Sequence, residues 1–168
     1  MKGNTGVRLE FGTVIPAQFT ICSVSRVSGG RGQRVLEGRP GNWLHGHYGD
    51  RAGVAHYGSW RHGTQTNRVK TKTDWVVMCG QNGNQGGFVH YAGNPIHFGY
   101  SGGQGNQRLV VNEYEQSEFE LAEIITWSSH LSKAHMQEVA TYLYRVITVP
   151  PPPPKPEGCE PPPPPPAG

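Results

Sequence analysis

His45-Gly46-His47 places two imidazoles two residues apart. In an extended strand, side chains two apart share a face, so the pair has the spacing of a zinc or copper site. His56, His62, His90 and His97 add candidate ligands. The competing reading makes all of these sheet residues bonded to backbone groups, and the expectation is that no metal is held. A calcium site needs several oxygens, usually with carboxylates among them, and the only aspartates, Asp50 and Asp74, lie far apart in sequence. A second constellation is Glu118-Phe119-Glu120-Leu121-Ala122-Glu123. Retaining glycoside hydrolysis needs two carboxylates about 5 Å apart. Glu118 and Glu120 share a strand face, while Glu123 falls on the other unless a bulge restores register. A third possibility is a sugar platform of flat rings: Trp43, Tyr48, Tyr57, Trp60, Tyr91 and Tyr100, with Tyr48, Tyr57 and Trp60 as the leading contacts. Asn42, Gln81, Asn82, Asn84, Gln85 and Gln104 would supply amide hydrogen bonds. Trp43, Trp75 and Trp127 have apolar neighbours, which favours core packing for them. There is no Ser-His-Asp spacing, P-loop or dinucleotide fingerprint. No catalytic residue and no cofactor are assigned, and the chain is expected not to be an enzyme.

The elements that would position these residues are short strands between Gly/Asn turns. Candidate strands are Val7–Phe11, Gln18–Val27, Arg34–Glu37, Trp43–His47, Ala52–Tyr57, Asp74–Cys79, Phe88–Tyr91, Ile96–Phe98, Arg108–Asn112 and Phe119–Trp127. Their number and spacing predict an all-β, two-sheet antiparallel sandwich. One helix is predicted. Ser132 is a good N-cap and Leu131 with Met136 can form a hydrophobic staple. Met136, Val139, Ala140, Leu143 and Ile147 recur at helical spacing and give one apolar face. The helix must stop before Pro150, because the residue preceding a proline is pushed out of the α region.

Beyond residue 148 the composition changes. Of 15 prolines, 12 lie in residues 149–168: Pro150, Pro151, Pro152, Pro153, Pro154, Pro156, Pro161, Pro162, Pro163, Pro164, Pro165 and Pro166. Consecutive prolines fix φ and remove backbone donors, which predicts a polyproline II tail roughly 60 Å long. Residues 1–148 then form one domain and 149–168 an extended tail, either a bare linker or a structural rod.

The net charge is a mild +3, and the basic residues are scattered, so nucleic-acid binding is not expected. No apolar stretch is long enough for a membrane span. Met1-Lys2-Gly3-Asn4-Thr5-Gly6 lacks the apolar core of a signal peptide, and the chain reads as a mature portion of a secreted protein. Cys22 and Cys79 both sit in strand-like runs and could face each other on neighbouring strands. A disulfide would suit an oxidising compartment; the alternative is two buried free thiols. Cys159, between the proline runs, is either a crosslink between chains or a free thiol.

The body resembles the laminin-G-like, concanavalin-A-like jelly-roll domains of extracellular algal and protist proteins. The likeness rests on Phe19-Thr20-Ile21-Cys22-Ser23-Val24-Ser25-Arg26, Asn42-Trp43-Leu44-His45-Gly46-His47-Tyr48, Gly53-Val54-Ala55-His56-Tyr57 with Trp60, and Asp74-Trp75-Val76-Val77-Met78-Cys79-Gly80. Ser117 to Trp127, Leu131-Ser132 and the helix complete it, so that most of residues 7–147 are covered. The run at Glu118 also resembles the E-x-D-x-x-E strand of glucanases sharing that fold, with Glu120 at the aspartate position. The fold hosts lectins, hydrolases and inert spacers alike. The tail resembles the hydroxyproline-rich segments of plant and green-algal wall glycoproteins, which implies hydroxylated, glycosylated prolines. With no N-x-S/T sequon in the chain, any glycan would be O-linked. The leading expectation is therefore a secreted structural glycoprotein that polymerises head-to-tail with itself through the tail. The alternative is a lectin-like module that binds polysaccharide, with the tail as a spacer. A glycoside hydrolase is the remote third.

Overall fold

The computed structural model describes residues 1–60, 74–91, 94–99 and 102–148. The proline-rich residues 149–168 with Cys159, and also His62 and Tyr100, lie outside the described residues.

Among the described residues, eleven strands and one helix follow in the order β1 (Lys2–Gly3), β2 (Leu9–Ile15), β3 (Thr20–Val27), β4 (Leu36–Arg39), β5 (Trp43–Tyr48), β6 (Arg51–Tyr57), β7 (Val76–Gln81), β8 (Gly87–Tyr91), β9 (Asn94–Phe98), β10 (Gln107–Val111), β11 (Phe119–Trp127) and α1 (Lys133–Thr148). All strand pairs are antiparallel. One sheet runs β1-β11-β3-β7-β8-β9, and the other runs β2-β10-β4-β5-β6. The first β-strand is an addition to the expected set. The second is displaced from Val7–Phe11 towards Ile15, because Gly12 at φ 74° interrupts the alternation beside two register shifts against β10.

Alternation along β3 divides the molecule into two cores. Ile21 and Val27 point between the sheets, where they meet Phe19, Trp43, Tyr57, Met78, Leu109 and Phe119. Cys22 and Val24 point to the opposite face, against Val77, Cys79 and Phe88, and this second layer is covered by α1. The helix forms where its apolar period predicts. Ser132 Oγ accepts from His135 N at 3.2 Å as the N-cap. Met136, Ala140 and Leu143 are buried against the sheet, with Leu131, Val139 and Ile147 packed around them. Thr20 and Gln81 tie down the approach to the helix. Leu131 N donates to Thr20 Oγ1 at 3.0 Å, and Gln81 Nε2 donates to the Leu131 carbonyl at 2.7 Å. Cys22 and Cys79 are opposite each other in the β3–β7 register and are joined by a disulfide beneath α1.

Candidate functional site

The inward face of β5 carries Trp43, His45 and His47 into the space between the sheets, and both histidines are fully buried. The Met78 carbonyl, 3.2 Å from His45 Nε2, can only accept, so that nitrogen carries the proton. His45 Nδ1 then accepts from the Tyr57 hydroxyl at 2.7 Å. His47 Nδ1 lies 3.4 Å from Ser25 Oγ, and its Nε2 has no hydrogen-bond partner among the described residues. Burial, reinforced by the neighbouring His45, lowers the His47 pKa to about 3. The pair is thus a neutral polar layer inside the core. Among the described residues no group of three or more metal-ligating side chains comes together.

Tyr57 belongs to this layer, and its assignment as a sugar contact is corrected: it is 1% exposed and stacks on Trp43 with ring centroids 4.8 Å apart. Strand pairing is the physical reason. Trp43 and Tyr57 are direct register partners on β5 and β6, so both rings enter the core together. Tyr48 and Trp60 are half-buried, with ring centroids 5.6 Å apart, and His56 meets Trp60 edge-on at 5.1 Å. Two of the amides proposed for sugar binding are structural. Gln81 is buried under the helix, and Asn82 Oδ1 accepts from Phe19 N at 3.0 Å while its Nδ2 donates to the Ala17 carbonyl at 2.7 Å.

On β11 a bulge between Leu121 and Glu123 shifts the register. Glu120 faces Arg26 of β3 and Glu123 faces Val24, so both point away from the core between the sheets. Glu120 accepts from Arg26 Nε at 2.9 Å and pairs with Lys2 at 3.6 Å. The Arg26 hydrogen bond, chiefly, holds its carboxyl below the usual range, which makes it a poor proton donor. Glu118 lines a cleft of about 390 Å³ beside Lys2, Asn4 and Ser28.

The most organised polar surface lies on the outer face of the β2-β10-β4-β5-β6 sheet, around residues the sequence did not single out. Alternation turns Leu36 of β4 inward and Glu37 and Arg39 outward. The connection 112–117 then folds back over them. Asn112, at φ 58°, closes that connection: its Oδ1 accepts from Ser117 N at 2.9 Å and its Nδ2 donates to the Ser117 carbonyl at 2.8 Å. Glu37, fully buried, accepts from the backbone amides of Glu113 and Tyr114 at 3.1 and 3.2 Å. Its other oxygen accepts from Arg39 Nη2 at 3.0 Å, and Arg39 Nε donates to Glu113 at 3.2 Å. Held in this way, the Arg39 guanidinium sits 3.4 Å from the Tyr114 ring centre, and Tyr114 is 70% exposed.

Open clefts flank this ring. One, of about 480 Å³, is lined by Thr13, Asn106, Arg108 and Glu113; the other, of about 330 Å³, by Arg34, Asn42 and Glu115. The bond from Arg108 to Glu10, at 2.8 Å, raises the Arg108 pKa further. Arg34 donates to Glu115 at 2.6 Å and lies 5.4 Å over the Tyr48 ring. Rings and guanidinium groups therefore continue from Trp60 and Tyr48 through Arg34 and Arg39 to Tyr114 and Arg108. The usable signal in the sequence was an aromatic between two acids in a polar turn, Glu113-Tyr114-Glu115.

No protein-family model matches the sequence, and none of the curated proteins does. Solved structures resemble it in part. A mutant of Trypanosoma rangeli sialidase displaying trans-sialidase activity is 9% identical, with a TM-score of 0.48 over 77% of this chain and 23% of that one. T. rangeli sialidase in complex with sialic acid is 10% identical, with a TM-score of 0.44 over 83% and 28%. Its covalent intermediate with 2,3-difluorosialic acid is 11% identical, with a TM-score of 0.44 over 82% and 28%. The chain spans about a quarter of the length of these sialidase chains. The expectation that the chain is not an enzyme is withdrawn on this finding, since each of these structures is a sialidase. At these identities and TM-scores the likeness assigns no activity.

Proposed function

We propose that the chain is a carbohydrate-binding module of the laminin-G-like, concanavalin-A-like jelly-roll class, and that it binds on the outer face of the β2-β10-β4-β5-β6 sheet. The observation that carries this is the Tyr114 ring, supported from below by Arg39 and exposed on its other side. A rigid exposed ring is a stacking platform for the apolar face of a pyranose. Guanidinium, carboxylate and amide groups in the flanking clefts suit its hydroxyls. The arginines Arg8, Arg34, Arg39 and Arg108 are paired with Glu10, Glu37, Glu113 and Glu115. This compensation favours a neutral oligosaccharide over an acidic one. The test is a panel of neutral and acidic oligosaccharides measured by calorimetry on the wild type and Tyr114→Ala. Saturable binding that Tyr114→Ala abolishes without unfolding is expected; binding that survives the substitution, or no binding across the panel, sinks the reading. The same panel is read for hydrolysis, with Glu118→Gln as the control variant.

A second reading, a secreted structural subunit that polymerises through glycosylated prolines, is favoured by one observation. The helix leading to the proline-rich residues is fixed to the sheet by Met136, Ala140 and Leu143, which would aim whatever follows it. Removal of residues 149–168 should abolish assembly and leave the melting temperature unchanged; filaments that form without them would count decisively against it.

A further inference from the structure

The solvent face of α1 is patterned as carefully as its buried face. Ala134, Gln137, Glu138, Thr141, Tyr142 and Arg145 line an open groove of about 530 Å³ along it. Tyr142, in this groove, is 64% exposed, and Val146, on the adjoining flank of the helix, is 58% exposed. Glu138 and Arg145 are seven residues apart, which returns them to nearly the same side of the helix about 10.5 Å apart along its axis. Neither finds an opposite charge four residues away within the helix. Glu138 has Ala134 and Tyr142 at those positions, and Arg145 has Thr141.

This arrangement is self-complementary. When two copies of the face are laid antiparallel about a two-fold axis between Thr141 and Tyr142, Glu138 of each copy comes opposite Arg145 of the other. Near the axis Tyr142 of each copy meets Tyr142 of the other on one flank of the interface, and Thr141 meets Thr141 on the other flank. A parallel pairing would instead bring Glu138 against Glu138 and Arg145 against Arg145. We propose that the solvent face of α1 is a homodimer interface that binds a second copy of this chain in the antiparallel direction. Isologous pairing of this kind closes at two copies. One helix face offers area at the low end for specific association, so the dimer is a weak one. The proposal is independent of the carbohydrate reading, whose surface lies on the other sheet.

The experiment is analytical ultracentrifugation of the full chain over a range of concentrations at low salt. A monomer–dimer equilibrium is expected. Glu138→Arg and Arg145→Glu should each raise the dissociation constant about tenfold, since each turns two attractive contacts into two repulsive ones. An equimolar mixture of the two variants should dimerise like the wild type, because charge is complementary again in the mixed pair. Helical circular dichroism checks each variant; should a reversal unfold the chain, Glu138→Gln and Arg145→Gln give the same loss in smaller measure. A monomer at every concentration, or a dimer indifferent to the charge changes, overturns the proposal. So does association that grows past two copies, which would point instead to a neighbour's proline-rich segment as the occupant.

Discussion

The guanidinium of Arg39 lies 3.4 Å from the ring centre of Tyr114, a residue 75 positions away in sequence. What fixes this distance is Glu37, which binds Arg39 with one carboxylate oxygen and the Glu113 and Tyr114 amides with the other. A fully buried carboxylate thereby orients an exposed ring. Glu37→Gln keeps the size of the side chain and removes the charge from these bonds. It should cost about 2–3 kcal/mol in urea denaturation and weaken oligosaccharide binding along with it. Unchanged affinity in a destabilised variant would show that the ring is positioned by something else.

The buried His47 makes stability depend on pH. In the folded chain its pKa is lowered to about 3, while its ordinary value is 6.5. Between those values the unfolded chain takes up a proton that the folded chain does not. Stability is therefore complete above about pH 6.5 and falls as the pH drops, by about 1.4 kcal/mol per pH unit for this one group. His90, stacked 4.0 Å from Tyr144 and lowered by burial, contributes with the same sign. Urea midpoints between pH 7 and pH 5 isolate the histidines, since ordinary carboxylates titrate lower. His47→Asn should flatten this slope; a slope equal to that of the wild type would mean that His47 protonates inside the fold without penalty.

The disulfide closes a 57-residue loop and lies between the sheet and α1. Closing a loop of that length restricts the unfolded chain by about 4 kcal/mol in the chain-entropy account. Cys22→Ala with Cys79→Ala should lower stability by roughly 2–4 kcal/mol. The loss should fall first on the helix layer, seen as early loss of helical circular dichroism. A single unfolding transition of unchanged midpoint would show that the bridge contributes nothing.

Elements whose partners are implied by their own pattern were legible in the sequence. The β3, β7 and β11 strands read correctly because each is a run rich in apolar, β-branched and small residues, unbroken as far as Gly80 in β7 and continued past the bulge in β11, and α1 because a 3.6-residue period runs through it. The two-residue β1 has no period to read; Gly3 is there because the Phe119 ring leaves no room for a side chain. The site was mostly illegible. Tyr114 reads as an ordinary turn residue until Glu37 captures its amide 77 positions away, and Glu37 reads as a solvated strand residue until the connection 112–117 covers it. Tyr57 misled for a related reason: alternation places it on one face of β6 but does not say whether that face is core or surface.

Its burial also sets up a test across the sandwich. The Tyr57 hydroxyl reaches β7 at Gly80, where a β-carbon would collide with it. Gly80 has no positive φ, so only this contact forbids a side chain. Gly80→Ala alone should cost about 1–3 kcal/mol as overpacking. Tyr57→Phe alone should cost about 1 kcal/mol or more, because His45 Nδ1 loses its donor. With the hydroxyl gone, the nearest neighbours of the new methyl are ring carbons at 3.4 and 3.5 Å, an ordinary contact. Gly80→Ala should then be almost neutral in the Tyr57→Phe background. A double-mutant cycle in urea should give a coupling energy of about 1–2 kcal/mol. Additive losses would show that the glycine is needed for its backbone and not to admit the hydroxyl that orients His45.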